Sequence, residues 1–265
     1  MEIARPTRLR EATEAMAEWP DGLPLAGGTD LMVEINFGHR HPAKVVALRR
    51  VGELKEAAAE RIGAGVSWRR LEAGPHPALA QIARTVGSPQ IRSAGTIGGN
   101  LGTASPAGDG LTFVAAANGS VELVSSAGTR SLHWDEFLIG VKRNARRPDE
   151  VIAAVTFPSP VPTTQAFAKV GTRNAMVIAT VSCCVIRHDG GKFAIALGSV
   201  APTVMRATQA EAYINQESRP SNGAMSELQQ IVSQEVRPID DHRATAAYRR
   251  HAAGVLARRL VEGLL

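Results

Sequence analysis

Two glycine-rich clusters, well separated in sequence, hold the residues of this chain best suited to chemistry: Leu25-Ala26-Gly27-Gly28-Thr29-Asp30 and Gly95-Thr96-Ile97-Gly98-Gly99-Asn100. Glycine lets backbone N–H groups approach a ligand and point into a concavity, which suits a phosphate or diphosphate. Thr29 and Thr96 add hydroxyl groups beside those amides. Neither cluster reads G-x-G-x-x-G or G-x-x-x-x-G-K-[ST], so neither the Rossmann nor the P-loop pattern is met. Two separate loops can hold one diphosphate between them, and that predicts a dinucleotide cofactor held by another route.

The elements that must position these loops follow from periodicity. Leu9, Ala12, Met16 and Trp19 recur at helical spacing behind Thr7 as N-cap, and Pro20-Asp21-Gly22 ends the helix. A strand over 23–26 runs into the first cluster, a helix over 31–37 leaves it, and Val45-Val46-Ala47-Leu48 is a second buried strand. Strand character at 62–66, a helical turn at 68–71 and a helix over 77–86 lead to the second cluster. Small and turn-forming residues dominate from Gly95 to Asp109, which predicts a long functional loop. Helix and strand candidates follow at 111–117, 121–125 and 151–157. Pro158, Pro160 and Pro162 mark a boundary. Beyond it, 175–187 and 192–200 read as strands joined by a hairpin at His188-Asp189-Gly190-Gly191. A terminal helix follows, capped by Asp240 or Asp241 and running through Tyr248 to Leu260.

At 265 residues, 44% hydrophobic and 21% charged, the composition is that of an ordinary globular chain. No apolar stretch is long enough to span a bilayer, and residues 1–6 lack an apolar signal core, so a cytoplasmic protein is expected. The only cysteines, Cys183 and Cys184, are adjacent. Neighbours on a strand point to opposite faces, so one metal ion does not readily take both, and the four thiolates of an iron–sulfur cluster are missing. No metal site is expected here. The net charge of +5 comes from scattered arginine pairs, and three Trp, two Tyr and six Phe supply few base-stacking groups. A solvated basic surface or a docking face for an acidic partner is expected in place of a nucleic-acid site.

The chain resembles, over nearly its full length, the FAD-binding (medium) subunit of the molybdenum hydroxylases, the xanthine dehydrogenase and carbon monoxide dehydrogenase group. The resemblance is carried by Ala26-Gly27-Gly28-Thr29-Asp30-Leu31, Ile62-Gly63-Ala64-Gly65-Val66, Arg92 through Leu101, and Ala104-Ser105-Pro106-Ala107-Gly108-Asp109. Gly128-Thr129-Arg130 with Phe137, Phe167-Ala168-Lys169-Val170 with Arg173, Asp241-His242-Arg243 and Tyr248-Arg249-Arg250 add to it. It implies an α+β fold: a two-subdomain FAD-binding domain of the PCMH type over 1–160 (subdomains about 1–55 and 56–160), then a C-terminal domain over 161–265 with a small antiparallel sheet and helices. FAD would lie between the subdomains. The loops Leu25, Ala26, Gly27, Gly28, Thr29, Asp30 and Thr96, Ile97, Gly98, Gly99, Asn100 would grip its diphosphate from opposite sides. Thr103, Ser105 and Asp109 match positions near ribityl or ribose hydroxyls and the neighbouring phosphates, and Ile152 and Lys169 match positions lining the flavin ring. Ser93 stands where relatives often carry Asn, and Gly108-Asp109-Gly110 is more flexible than the usual version of that loop.

The residues leave some roles open. Lys169 is either a ring-lining cation or a solvated strand lysine, and Asp109 either accepts hydroxyl hydrogen bonds or caps a helix starting near Leu111. Gly63 and Gly65 are expected to be close-packing residues. The implied function is electron transfer. Electrons would come from [2Fe-2S] clusters on a small partner chain, fed by a molybdenum cofactor on a large one, and pass through FAD here to NAD, oxygen or a quinone. A heterotrimer that pairs into a dimer is the implied assembly. The rivals are a self-contained flavin oxidoreductase of the same fold, such as one reducing a nucleotide-sugar enol ether, and a basic scaffold or nucleic-acid-binding module without cofactor.

Overall fold

Short apolar runs near the N-terminus pair as a parallel sheet in the computed structural model of this chain, which describes residues 1–217 and 220–265. Strands β1 (Glu2–Ala4), β2 (Leu23–Leu25) and β3 (Lys44–Ala47) lie in the order β1-β3-β2, with Leu25 opposite Ala47. Parallel neighbours need crossovers, supplied by α1 (Leu9–Glu18) and α2 (Leu31–Asn36). Helix α1 does not start on a Thr7 cap. It begins at Leu9, and the Glu11 carboxylate accepts the N–H groups of Thr7 at 2.7 Å and Arg8 at 3.3 Å. A glutamate reaching back in this way satisfies amides that the first helical turn leaves open.

The second unit is built on an antiparallel sheet. Strands β4 (Arg61–Gly63), β5 (Ser120–Ser125), β6 (Gly128–His133), the small pair β7 (Leu138–Gly140) and β8 (Arg143–Asn144), and β9 (Val151–Thr156) follow in sequence. The four-stranded order is β4-β9-β5-β6. Six short helices complete the unit: α3 (Trp68–Leu71), α4 (Pro77–Thr85), α5 (Pro89–Ala94), α6 (Ile97–Thr103), α7 (Asp109–Ala116) and α8 (Trp134–Phe137). Strand β9 is buried on both faces. Val151 and Ala153 join the core under α1, while Ile152 and Val155 join that of the second unit; the register shift opposite Glu122 and Leu123, which leaves Ala153 unpaired with β5, breaks the strict alternation and turns Val155 to the other core.

The stretch from Gly95 to Asp109 is not the long loop its composition predicts. It folds into α6 and the start of α7, because Thr96 caps α6 by accepting the Gly99 N–H at 3.0 Å and Ala104 ends it in the left-handed region at φ 47°. Capping by a β-region threonine outweighs the low helix propensity of its glycines.

The third unit is an antiparallel sheet in the order β10 (Gln165–Val170), β11 (Val181–Arg187), β12 (Phe193–Gly198), β13 (Met205–Arg206), covered by α9 (Thr208–Ile214), α10 (Asn222–Glu235) and α11 (Ala246–Glu262). Strand β11 starts at Val181 and not at Ala175. Its register with β10 ends at the Val170–Val181 pair, so residues 171–180 become the connection between them. The hairpin between β11 and β12 falls where Asp-Gly predicts it. Helix α11 is capped by Thr245, whose hydroxyl oxygen accepts the Tyr248 N–H at 3.2 Å. Asp241 has another task. Burial works to raise its carboxyl, but the Arg243 N–H, the Arg249 guanidinium at 2.6 Å and the Ala244 N–H hold it well below the usual carboxylate range.

Cys183 and Cys184 are both fully buried and unpaired, one in the core under α10 and α11, the other in the core shared with α7. That shared core also takes Phe167, Ile186, Ala194, Ala196 and Val204 from the third unit, packed with Phe113 and Leu111. No described helix is long and apolar enough to cross a membrane.

Candidate functional site

Local packing brings the two glycine clusters together. The first leaves the C-terminal end of β2 and presses on the end of α5. A Cβ built on Gly27 would overlap the Ala94 carbonyl group, 2.6 Å from its carbon, and would lie 2.8 Å from Gly95 Cα. Only glycine permits that approach. Gly28 adopts φ +73°, a left-handed conformation that glycine takes without strain. Thr29 Oγ1 lies 3.2 Å from where a Gly95 Cβ would stand. The Asp30 carboxylate accepts the Thr103 hydroxyl at 3.1 Å, so the loop reaches from the end of α5 to the end of α6. On the same side, Lys142 of the β7–β8 turn donates to Glu34 of α2 at 3.0 Å.

The two clusters differ in what they offer a ligand. Among the described residues, none accepts a hydrogen bond from the backbone N–H of Gly27, Gly28, Thr29 or Asp30. Four successive amides without protein partners, on the half-exposed Gly27, Gly28 and Thr29 and the exposed Asp30, form an anion-seeking stretch. In the second cluster the amides are already engaged: Ile97 donates to Val66 O at 3.1 Å, Gly98 to Ala64 O at 2.9 Å, Gly99 to Thr96 Oγ1 and Asn100 to Thr96 O. Gly98 is a packing residue, since its Cβ would fall 2.6 Å from the Ala64 carbonyl oxygen. Gly63 and Gly65 likewise sit against Leu54. The second cluster thus sets the wall against which the first is held.

Beyond α6, Asn100 and Asp109 come together. The Asn100 amide packs on Gly108 and Gly110, with Oδ1 2.7 Å from where a Gly110 Cβ would stand. Asn100 Oδ1 and Asp109 Oδ1 are buried acceptors with no hydrogen-bond partner among the described residues. Asp109 does not cap α7; Gly108 occupies that position and Asp109 opens the helix. Its other oxygen, Oδ2, accepts from Lys169 Nζ at 2.6 Å. Lys169 is no solvated strand lysine: its side chain is 9% exposed, and it also donates to Thr85 O at 3.1 Å and Val177 O at 3.3 Å. Burial pushes the Asp109 carboxyl up, and the Lys169 charge pulls it back. Ile152 is buried on β9, its Cδ1 3.7 Å from the Gly102 Cβ position. Ser105 Oγ accepts the Ala107 N–H and shapes the turn before α7. Sequence reasoning missed Thr85 and Val177, which act through backbone carbonyls, and a carbonyl leaves no mark on residue type.

This arrangement fits a flavin dinucleotide. Unpartnered amides match a diphosphate, and orphaned buried acceptors match hydroxyl groups that must donate.

Comparison with known proteins agrees. Residues 1–160 match the FAD binding domain in molybdopterin dehydrogenase, and residues 166–264 the CO dehydrogenase flavoprotein C-terminal domain. The nicotinate dehydrogenase FAD-subunit of Eubacterium barkeri is 35% identical over a match covering 68% of this chain and 66% of the relative. The putative xanthine dehydrogenase FAD-binding subunit of Escherichia coli (strain K12) is 28% identical, covering 97% and 93%. Among solved structures, a chain of the cyanide-inactivated Cu,Mo-CO dehydrogenase superposes with a TM-score of 0.90 at 28% identity, covering 99% of this chain and 96% of that one. Free amides on one loop, orphaned acceptors behind the other and both family matches lead to one assignment: this chain belongs to the family of FAD-binding flavoprotein subunits of the molybdopterin dehydrogenases, and is an FAD-dependent oxidoreductase subunit.

Proposed function

We propose that this chain is the electron-transfer subunit of a multi-subunit molybdenum hydroxylase, working in the cytoplasm. It would take electrons from [2Fe-2S] clusters on a small partner chain, with a molybdenum cofactor on a large partner, and hand them to NAD or another acceptor. The observation that carries the reading is the contact of the Gly27–Asp30 loop, with its unpartnered amides, against Ala94 and Gly95. Bound FAD supplies the chemistry, accepting electrons singly and releasing them singly or as a hydride.

The chain's own residues bind and orient. The amides of Gly27 to Asp30 face the diphosphate, with the Thr29 and Thr96 hydroxyls beside them and Leu25 and Ala26 leading in. Ile97, Gly98 and Gly99 hold the opposite wall. Asn100, Thr103, Ser105 and Asp109 take the cofactor hydroxyls, and Ile152 with Lys169 lines the ring. Asp109 fixes the Lys169 ammonium in place, so a cation stands ready where reduction builds negative charge. Residues 1–160 form the FAD-binding domain and 161–265 the C-terminal domain in this reading.

The test is the visible spectrum of the purified chain and the identity of the cofactor released on denaturation, alone and co-expressed with iron–sulfur and molybdenum chains. One equivalent of FAD, and its reduction by substrate only in the co-expressed complex, is the expected result. A complex that carries FAD but reduces it without the iron–sulfur chain overturns the electron path. A chain that takes up no FAD in any combination overturns the site.

A further inference from the structure

Among the described residues, five other than glycine hold a positive φ: Ala104, Asn118, Lys142, Met176 and Ser199. Ala104 and Asn118 follow helices α6 and α7, where a left-handed residue is a common stop. Lys142 and Met176 stand on the surface. Ser199 does neither. It leaves the end of β12, is 6% exposed and holds φ 63°. A side chain is strained in that conformation, and such strain persists only where the surroundings over-determine the residue.

The surroundings engage every polar group Ser199 has. Its N–H donates to Pro106 O at 2.8 Å, its hydroxyl donates to Ala179 O at 2.9 Å, and its carbonyl accepts from Arg249 Nη1 at 2.8 Å. Each contact leads to a different part of the molecule. Pro106 stands in the turn between Ser105 and Asp109, ahead of α7. Ala179 belongs to the connection 171–180, whose Val177 carbonyl accepts from Lys169 Nζ. Arg249 belongs to α11.

Arg249 is the fixed end of this chain of contacts. Its side chain is 5% exposed, and Nη2 donates to Asp241 Oδ1 at 2.6 Å while Nη1 is spent on Ser199. The same Asp241 oxygen accepts the N–H groups of Arg243 at 2.8 Å and Ala244 at 3.1 Å. A planar guanidinium held at both ends has one orientation, so the carbonyl it meets is located as well. Asp241 and Arg249, far from the glycine loops in sequence, thereby gain a task at the site.

We propose that Ser199 is a positioning residue of the FAD site: anchored by Arg249 and Asp241, it sets the turn that carries Ser105 and Asp109 and steadies the connection that holds Lys169. The assignment rests on the reading of Ser105, Asp109 and Lys169 given above. Through Ser199 the third unit acts on both partners of the buried Asp109–Lys169 pair. Glycine adopts φ 63° freely, so Ser199→Gly relieves the strain and keeps both backbone hydrogen bonds, while it loses the hydroxyl and loosens the backbone that carries them.

Full-length Ser199→Gly, Arg249→Lys and the double variant, each stripped of cofactor, are titrated with FAD by flavin fluorescence, and each is unfolded in urea. Ser199→Gly is expected to unfold near the wild-type midpoint, since relief of strain offsets the lost hydrogen bond, and to bind FAD about tenfold more weakly. The midpoint potential of its bound flavin should move to more negative values, because Lys169 is held less firmly; a structural role alone leaves affinity and potential in place. Arg249→Lys, whose one ammonium does not hold both partners, should weaken FAD by a similar factor, and the double variant no more than either single one, as two steps of one path require. Arg243→Gln removes the other guanidinium on Asp241, at 3.3 Å, without touching Ser199, and should leave FAD affinity unchanged. Unchanged FAD affinity or unchanged potential in Ser199→Gly overturns the proposal, as do additive losses in the double variant or an equal loss in Arg243→Gln. A wild-type chain that binds no FAD overturns the FAD site itself, a result distinct from any difference between the variants.

Discussion

Glycine acts in two distinct ways at the level of single residues here, and the difference can be measured. Gly27 is fixed by contact, since any Cβ strikes the Ala94 carbonyl group. Gly99 sits inside α6 with only Thr96 Oγ1 near its Cβ position, at 3.3 Å. Gly27→Ala is expected to destabilise the chain by about 1–3 kcal/mol, the cost of overpacking a rigid contact, and to release FAD. Gly99→Ala should stabilise by up to about 1 kcal/mol through helix entropy. Urea unfolding of the two variants checks both signs. The glycine clusters were legible in the sequence because residue type alone marks a backbone that something approaches closely. What type could not show is which amides stay free: those of Ile97 and Gly98 are taken by Val66 and Ala64, carbonyls of a turn some thirty residues earlier.

Among the elements, β10 and α7 are tied by one buried ion pair. Removing the cation leaves the Asp109 carboxylate in a low-dielectric site with its second oxygen already orphaned. Lys169→Met is expected to cost about 3–5 kcal/mol at neutral pH. The sign of the pH dependence follows from the direction of the Asp109 shift. Without Lys169 its carboxyl rises further, so the folded variant holds a proton that the unfolded chain releases above about pH 4. The deficit against wild type should therefore grow from pH 5 to pH 8, and Asp109→Asn in the same variant should remove that growth. Denaturant unfolding at the two pH values measures it. The elements themselves were largely readable: the terminal helix, the Asp-Gly hairpin and the β9 run all stand near their expected places. The errors at α6 and at the start of β11 have one source. A threonine cap and a strand register are set by geometry across the chain, and local composition does not record them.

For the molecule as a whole, the decisive fact is that the largest core crosses the proline-rich segment at 158–162. Phe167, Ile186, Ala194, Ala196 and Val204 fill the same cluster as Phe113 and Leu111. A fragment ending at residue 160 exposes that surface and is expected to be molten or insoluble, as burial of several large side chains at about 1.5–3 kcal/mol each implies. Circular dichroism and dye binding on the fragment test this; a cooperatively unfolding, dye-silent 1–160 chain would count against a shared core. The prolines were visible as punctuation, but a break in the chain path says nothing of whether the packing breaks with it.

The adjacent cysteines carry a consequence for the chemical endurance of such a subunit. A reduced flavin that meets dioxygen yields peroxide, and the oxidisable form of cysteine is the thiolate. Cys183 and Cys184 are sealed in two different cores, and burial pushes both thiols up from their ordinary range. They cannot reach each other, do not ionise at working pH and present no sulfur to the solvent, so neither offers an oxidant the thiolate it needs. A flavoprotein subunit built this way is corrosion-resistant at its cysteines: stray oxidant passes both sulfurs by.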